Sequence, residues 1–251
     1  MRRAVLFQHG LGGDDAQAAA NWPETSNALR VTINSRGHKE TPLGPDRPFS
    51  IPLFARDALD AMAGHERFIA GGISMGAAIA LYLACHHPER VTGLILVRPA
   101  WTFTSAPDNM APIADIAALL RRLPPEAARA AFAEGEIGQR LARDAPDNLA
   151  SLLGYADRPQ PLRFAEVLAD IAAGSPGVSR QAVEALRLPA LIIANAHDAI
   201  HPRACAETLA EAIPGARLVT VAPKALERDR HHQEVRAAIA DFLAMHTRSP
   251  S

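Results

Sequence analysis

Apolar residues recur along this chain in two spacings that predict two kinds of secondary structure. The segments typical of strands are short, and they lie at 3–8, 29–35, 67–71, 91–97, 190–194 and 217–221. Repeats at three- and four-residue spacing predict helices near 17–20, 53–62, 75–87, 204–213 and 233–245. Strands that alternate with helices predict an α/β fold, a doubly wound and mainly parallel sheet of about six strands.

The pattern changes between Trp101 and about Leu186, where Ala, Leu and Arg dominate and no strand-like run occurs. We predict a helical insertion at 101–186 that interrupts an α/β core formed by residues 1–100 and 187–251. At the end of the chain, we expect residues 248–251 to be frayed.

Composition narrows the classes of protein to consider. The chain has 251 residues, 48% of them hydrophobic, which suffices for one large domain. The net charge is −1, so nothing in the charge favours nucleic acid or an anionic membrane as a partner. The apolar stretch at 4–7 is too short for a signal-peptide core, and no run approaches the roughly 18 residues of a membrane span. We therefore expect a cytoplasmic protein that acts on a small molecule, while its oligomeric state stays open.

The sequence Gly72-Ile73-Ser74-Met75-Gly76 lies between a predicted strand and a predicted helix. A serine on such a sharp turn needs small residues two positions before and after it, because the strained backbone crowds its neighbours. A dinucleotide-binding loop would need Gly in place of Ile73, and a P-loop would need Gly-Lys-Ser/Thr in place of 76–78. The turn is therefore interpreted as a nucleophile elbow with Ser74 as the nucleophile.

A serine hydroxyl is a weak nucleophile unless a base takes its proton and a third group orients that base. Asp198 follows the strand at 190–194, so it lies at the sheet edge where sites of α/β proteins assemble; its alternative role is to cap the next helix. The candidates for the base are His231 and His232. His231 is four residues before Val235 on the predicted buried face of the last helix, so His231 is the preferred candidate.

The other eight histidines are expected mostly at the surface or in loops. His197 and His201 flank Asp198 with a spacing of four and could form a metal pair, but no obvious third ligand is present. We therefore predict neither a metal nor a cofactor. The two cysteines, Cys85 and Cys205, are expected to be free buried thiols in a reducing compartment.

With Ser74, Asp198 and His231 in this order, the chain resembles the α/β-hydrolase family over nearly its whole length. The motif Gln8-His9-Gly10-Leu11-Gly12-Gly13 is similar to the family's oxyanion turn, and Arg36-Gly37-His38 is similar to another family motif. The resemblance implies that the backbone N–H groups of Leu11 and Met75 hold the oxyanion, and that the helical insertion is a lid.

The chain departs from the family pattern in three places. The family's first antiparallel hairpin is missing, so the strand at 29–35 is expected at an exposed edge of the sheet. Asn195 stands where the family has Gly before the acid. The segment at 224–232 is basic and lacks the usual Gly-His before the base.

The predicted reaction is hydrolysis of a carboxylic ester of a small-to-medium apolar substrate through an acyl-enzyme. Trp101 lies just past a strand end and is a candidate substrate contact. Arg98 either binds a substrate carboxylate or forms a salt bridge with an acid of the helical insertion. Three other reactions use the same triad and stay open: those of a lactonase, a thioesterase and a carbon–carbon bond hydrolase. A non-catalytic small-molecule binding protein on the same fold also stays open.

Overall fold

A computed structural model describes residues 2–24 and 26–246 of the chain, so the fraying expected at 248–251 lies outside the described residues. Within these described ranges, six strands form one sheet in which every pairing is parallel. The strand order is β2-β1-β3-β4-β5-β6. The strands are β1 (Ala4–Gln8), β2 (Leu29–Val31), β3 (Phe68–Ile73), β4 (Val91–Val97), β5 (Ala190–Asn195) and β6 (Arg217–Val221).

Helices follow most strands, and a run of helices fills the connection between β4 and β5. In chain order the helices are α1 (Asp15–Ala20), α2 (Ile51–Ala61), α3 (Met75–His86), α4 (Ala111–Arg122), α5 (Pro125–Glu134), α6 (Glu136–Asp144), α7 (Pro146–Leu153), α8 (Pro161–Ala173), α9 (Arg180–Glu184), α10 (Arg203–Ala212) and α11 (Arg228–His246). Helices α4 to α9 lie between β4 and β5, within the range 101–186 for which the sequence predicts a helical insertion. No helix in the described ranges combines the length and the apolar character that crossing a membrane requires.

The sheet is covered on both faces, because alternate residues of its central strands point to opposite sides. Leu94 and Leu96 of β4 join the larger apolar cluster, which α3 and the helical insertion share. Ile95 and Val97 join the second cluster, beneath α11. Helix α3 is apolar on nearly all sides and mostly buried, so the helix that follows Ser74 is fixed within the core.

The structure differs most from the sequence prediction at two elements, β2 and α11. Strand β2 ends at Val31 because the next backbone groups bond to side chains: the Ile33 N–H donates to Gln8 Oε1 at 3.0 Å, and the Ser35 N–H donates to His9 Nε2 at 3.0 Å. Helix α11 begins at Arg228, whereas the sequence predicts a start near 233. Its earlier start places His231 inside the first turn of the helix.

Candidate active site

Ser74 occupies a sharp turn between β3 and α3 with backbone angles φ 55° and ψ −109°. This conformation is costly for a residue with a side chain, by about 1–3 kcal/mol. The two glycines of the motif permit it. A Cβ on Gly72 would lie 2.6 Å from the carbonyl carbon of Gly76, and a Cβ on Gly76 would lie 2.3 Å from the carbonyl oxygen of Gln8. The turn thus needs both glycines, as the sequence predicts.

The imidazole that contacts Ser74 belongs to His201. Its Nε2 lies 2.8 Å from Ser74 Oγ, and its Nδ1 lies 2.8 Å from Asp198 Oδ1. Asp198 and His201 are on one loop, between β5 and α10. Ser74, His201 and Asp198 therefore form a continuous chain of hydrogen bonds at the carboxyl edge of the sheet.

The structure does not bring the expected His231 to Ser74. Its ring Nδ1 lies 2.9 Å from the carbonyl oxygen of Ala222, and its backbone N–H donates to Glu227 O at 2.8 Å. The ring is buried, and burial lowers the pKa of His231 to about 4. The physical reason is the early start of α11, which turns His231 toward the chain after β6. His232, the alternative, has its Nδ1 3.2 Å from Asn21 Oδ1.

The sequence places His201 among the histidines expected at the surface or in loops; it does lie in a loop, but it is buried against Ser74 and Asp198. Its side chain is only 10% exposed, and both ring nitrogens have protein partners. No group of three or more His, Cys, Asp or Glu side chains within 2–24 and 26–246 is arranged to hold a metal ion. The signal in the sequence is the position of His201, three residues after Asp198 on a loop at the same sheet edge.

Arg98 directly follows β4. Its guanidinium forms a buried ion pair with the carboxylate of Asp198. Arg98 Nη2 and Nε lie 2.6 Å and 2.8 Å from Asp198 Oδ2, and the two side chains are 9% and 3% exposed. Neither role expected for Arg98 matches this contact, because the guanidinium is bound to the acid of the site itself. Its backbone φ of 48° is unusual for a residue with a side chain.

The tautomer of His201 follows from its neighbours. Its Nδ1 lies 2.8 Å from Asp198 Oδ1, whereas Arg98 Nη2, 3.1 Å away, can only donate and is therefore not a hydrogen-bond partner of a protonated Nδ1. Burial alone would raise the pKa of Asp198, but His201 and Arg98 hold that pKa well below its ordinary value. The ionised carboxylate can only accept, so Nδ1 carries the proton and Nε2 is free to accept from the Ser74 hydroxyl.

Burial, chiefly, and the positive charge of Arg98 lower the pKa of His201 below its ordinary value of 6.5, while Asp198 opposes the shift. The imidazole is therefore neutral at pH 7. A neutral imidazole with Nε2 facing a hydroxyl is in the state that a general base requires.

The turn after β1 lies against Ser74. A Cβ on Gly10 would be 3.3 Å from the Ser74 Cβ. The Gly12 N–H donates to His38 Nε2 at 3.0 Å, and the Gly10 N–H donates to Gln17 Oε1 at 2.7 Å. Burial lowers the pKa of His38 to about 3, so this ring stays neutral and can accept.

The two expected oxyanion donors lie on the two segments that meet at Ser74. Leu11 is in the turn after β1, and Met75 is the first residue of α3, so the Met75 N–H has no acceptor within its own helix. The positive end of the α3 dipole is also directed to this point. A negatively charged oxygen would be stabilised there.

Trp101 is only 2% exposed and belongs to the larger apolar cluster. Within the described part of the chain its Nε1 has no hydrogen-bond partner. The ring therefore packs in the core beneath the helical insertion, and a contact with substrate stays a prediction.

A family model described as alpha/beta hydrolase fold matches residues 3–225. Among sequence relatives, the pimeloyl-[acyl-carrier protein] methyl ester esterase of Aromatoleum aromaticum is 30% identical, with 86% of this chain and 88% of that protein covered. A second relative comes from Klebsiella pneumoniae and is named, provisionally, as the carbamate hydrolase RutD. It is 28% identical, with 86% of this chain and 81% of that protein covered.

Solved structures share the fold at lower sequence identity. The enol-lactonase from Burkholderia xenovorans LB400 has a TM-score of 0.74 at 23% identity and covers 97% of this chain and 92% of its own. A thermophilic esterase from Thermogutta terrifontis has a TM-score of 0.72 at 23% identity, and the match covers 97% of this chain and 90% of the esterase.

Proposed function

Because the chain belongs to the alpha/beta hydrolase fold family, we propose that it is a serine hydrolase that cleaves a carboxylic ester through an acyl-enzyme. Ser74 is the nucleophile, His201 the base and then the acid, and Asp198 the orienting carboxylate. The observation that carries this proposal is the hydrogen-bonded chain from Ser74 Oγ through His201 to Asp198, with 2.8 Å at each step.

The acylation step uses the groups that meet at the elbow. Ser74 Oγ attacks the ester carbonyl carbon while its proton passes to His201 Nε2. The carbonyl oxygen becomes an oxyanion, to which the N–H groups of Leu11 and Met75 donate. When the C–O bond to the alcohol breaks, the alcohol oxygen takes the proton from Nε2 and leaves, so the acyl group stays on Ser74.

Deacylation repeats the steps with water as the nucleophile. His201 Nε2 takes a proton from water, and the hydroxide oxygen attacks the acyl carbon. The second tetrahedral intermediate releases Ser74 Oγ, which regains its proton from Nε2. Throughout, Asp198 stays ionised and stabilises the imidazolium, and Arg98 holds the carboxylate in place.

The proposed base lies on the loop that also carries the acid, whereas the sequence resemblance implies a base after the last strand. Asp198 accepts from both the backbone N–H of His201, at 3.0 Å, and from its ring Nδ1–H. The carboxylate thus orients its base through a short loop between β5 and α10. The triad of Ser74, His201 and Asp198 is therefore complete without a residue from the segment after β6.

An ester is proposed because carbonyl attack by serine fits the geometry and because a relative at 30% identity is named as a methyl ester esterase. The helical insertion is rich in aliphatic residues, which favours a small-to-medium apolar acyl or alcohol group. Lactones, thioesters and carbamates present the same electrophilic carbonyl and belong in the substrate panel.

A fluorophosphonate probe tests the nucleophile directly. We expect stoichiometric labelling of the wild-type protein and none of Ser74→Ala. Ester, lactone, thioester and carbamate series of increasing acyl length then rank the bond types by kcat/KM. Folded protein that the probe does not label would contradict the serine-hydrolase proposal and favour a binding protein on the same fold.

A further inference from the structure

We propose that Asn148, from the helical insertion, is a positioning residue for Asp198 and His201, so that the insertion sets the geometry of the triad as well as covering it. Asn148 lies in the first turn of α7 and is 5% exposed. This inference rests on the proposed function, because it assigns a role to a residue that acts through the acid and the base.

Asn148 connects to both sides of the acid. Its Nδ2 donates to Asp198 Oδ1 at 3.0 Å, and its Oδ1 accepts from the Ala199 N–H at 2.7 Å. Ala199 directly follows Asp198, so one amide holds the carboxylate and the backbone that leads to His201. A pair of such contacts fixes the carboxylate as well as the local path of the chain.

The chemistry of the partners fixes the orientation of this amide. An ionised carboxylate only accepts hydrogen bonds, and a backbone N–H only donates them. Nδ2 must therefore face Asp198 and Oδ1 must face Ala199. In the flipped amide, Oδ1 would face the Asp198 carboxylate and Nδ2 would face the Ala199 N–H. Two acceptors and two donors would then meet, so neither hydrogen bond could form.

The neighbouring residue, Asp147, makes a second contact from α7 to the core. Its Oδ2 lies 2.7 Å from Lys224 Nζ, and both side chains are less than one-fifth exposed. Lys224 follows β6, whereas Asp198 follows β5. The first turn of α7 therefore bonds to both loops that border the base.

The carboxylate oxygen that Asn148 contacts is the one that orients the imidazole. Asp198 Oδ1 accepts from Asn148 Nδ2, from the His201 N–H and from His201 Nδ1–H. Loss of the amide donor would let the carboxylate rotate about the remaining bonds, and misplacement of a catalytic group by about 1 Å costs on the order of 100-fold in rate.

The effect of a substitution at Asn148 on the pKa of His201 depends on the charged groups that face the imidazole. They are Asp198 on its own loop, Arg98 after β4 and Lys224 after β6, with Asp147 of α7 bonded to Lys224. Asn148 is neutral, but the hydrogen bond from its Nδ2–H stabilises the negative charge on Asp198 Oδ1. Without that donor the carboxylate is a stronger acceptor for His201 Nδ1–H, so the imidazolium is favoured and the pKa of His201 rises.

The test is the rate of fluorophosphonate labelling of Ser74 across a pH series, in Asn148→Leu and Asn148→Ser. The matched control is Asn109→Leu. Asn109 Nδ2 donates to the carbonyl oxygens of Ala100 and Ile200, at 2.8 and 2.7 Å, so it holds the same loop without touching Asp198. Urea unfolding of each variant measures the loss of stability separately.

We expect both Asn148 variants to be labelled about 10- to 100-fold more slowly than the wild type. We also expect the acid limb of their pH–rate profiles, where the labelling rate falls as the pH drops, to move to higher pH. Asn109→Leu should lose stability but keep the wild-type acid limb. If folded Asn148 variants keep the wild-type limb and label no more slowly than Asn109→Leu, Asn148 is only structural and the inference is wrong. Absence of labelling in the wild type would instead overturn the proposed function.

Discussion

At the scale of single residues, the site depends on a buried charge that needs a fixed partner. The Asp198 carboxylate is 3% exposed, and the Arg98 guanidinium that binds it is 9% exposed. Two charges this far from water are compatible with a stable fold only when they are paired and hydrogen-bonded. Arg98 therefore supports the site through the acid, with no need to touch a substrate.

Arg98→Met should destabilise the protein by about 3–5 kcal/mol, because it leaves the Asp198 carboxylate buried without its ion partner. Urea unfolding measures this loss. The control is Arg203→Met, which breaks an exposed pair with Glu207 at 2.7 Å and should cost less than about 1 kcal/mol. Equal losses in the two variants would contradict the assigned role of Arg98.

The same substitution should change the pH dependence. His201 must be neutral to act as a base, so activity falls as pH drops through its pKa, which burial and Arg98 lower below 6.5. The wild-type acid limb should therefore lie below that value. Removing the positive charge of Arg98 raises the pKa of His201, so the acid limb of kcat/KM moves to higher pH. A limb that moves to lower pH would reverse the assigned sign.

At the scale of elements, the strand, turn and helix around Ser74 were predictable, and so was the last helix, but not the start of that helix, which carries His231. Strands β4 and β6 lie where the apolar runs predict them. The start of α11 was missed because the polar residues of 228–232 carry no apolar repeat, and the helix there is decided by its packing on β6. The preference for His231 depended on its four-residue spacing from Val235, and both residues do lie on the buried face of α11.

Gly76→Ala tests the elbow as an element. The added Cβ would lie 2.3 Å from Gln8 O and 2.8 Å from His9 O, which are backbone atoms that cannot rotate away. Overpacking of this kind costs about 1–3 kcal/mol or more, and it displaces α3 from the turn that carries Leu11. We expect lower stability and a much slower reaction of Ser74 with a fluorophosphonate.

Gly64→Ala is the control for this change, since a Cβ there would meet nothing within 4 Å. We expect its urea midpoint and its labelling rate to stay close to those of the wild type. If Gly76→Ala also matched the wild type in both measurements, the elbow would not need the second glycine.

At the scale of the whole molecule, the helical insertion and the core are joined beside the triad. The contacts of Asp147 with Lys224 and of Asn148 with Asp198 both start from the first turn of α7. The sequence predicted the insertion from the change in composition, but it could not predict these contacts. They depend on how far α7 reaches across the sheet edge, which no local pattern encodes.

A double-mutant cycle on Asp147 and Lys224 should give a coupling energy of about 0.5–3 kcal/mol in urea unfolding, because the pair is mostly buried between the insertion and the core. The exposed pair Arg203 and Glu207, on one helix, should give about 0.3–0.5 kcal/mol. No coupling between Asp147 and Lys224 would mean that the insertion is not held by this contact.

The same scale shows why the sequence favours a histidine other than the one that contacts Ser74. Partners of Ser74 are expected in loops that follow strands at one sheet edge, and the segment after β6 offers His231 and His232 in the order that the family resemblance implies. His201 reaches Ser74 because the loop between β5 and α10 folds back over the carboxyl edge of the sheet. The spacing of three residues after Asp198 places His201 at the correct edge of the sheet, but it does not show that the loop folds back to Ser74.

The most direct test of the account compares His201→Gln with His231→Gln in the rate of fluorophosphonate labelling of Ser74 and in kcat/KM on one activated ester. His201→Gln should lose about 10²- to 10⁴-fold in both, because it removes the general base. His231→Gln should retain most of the wild-type rate. A folded His201→Gln protein with wild-type rates, together with an inactive His231→Gln, would contradict the assignment of the base.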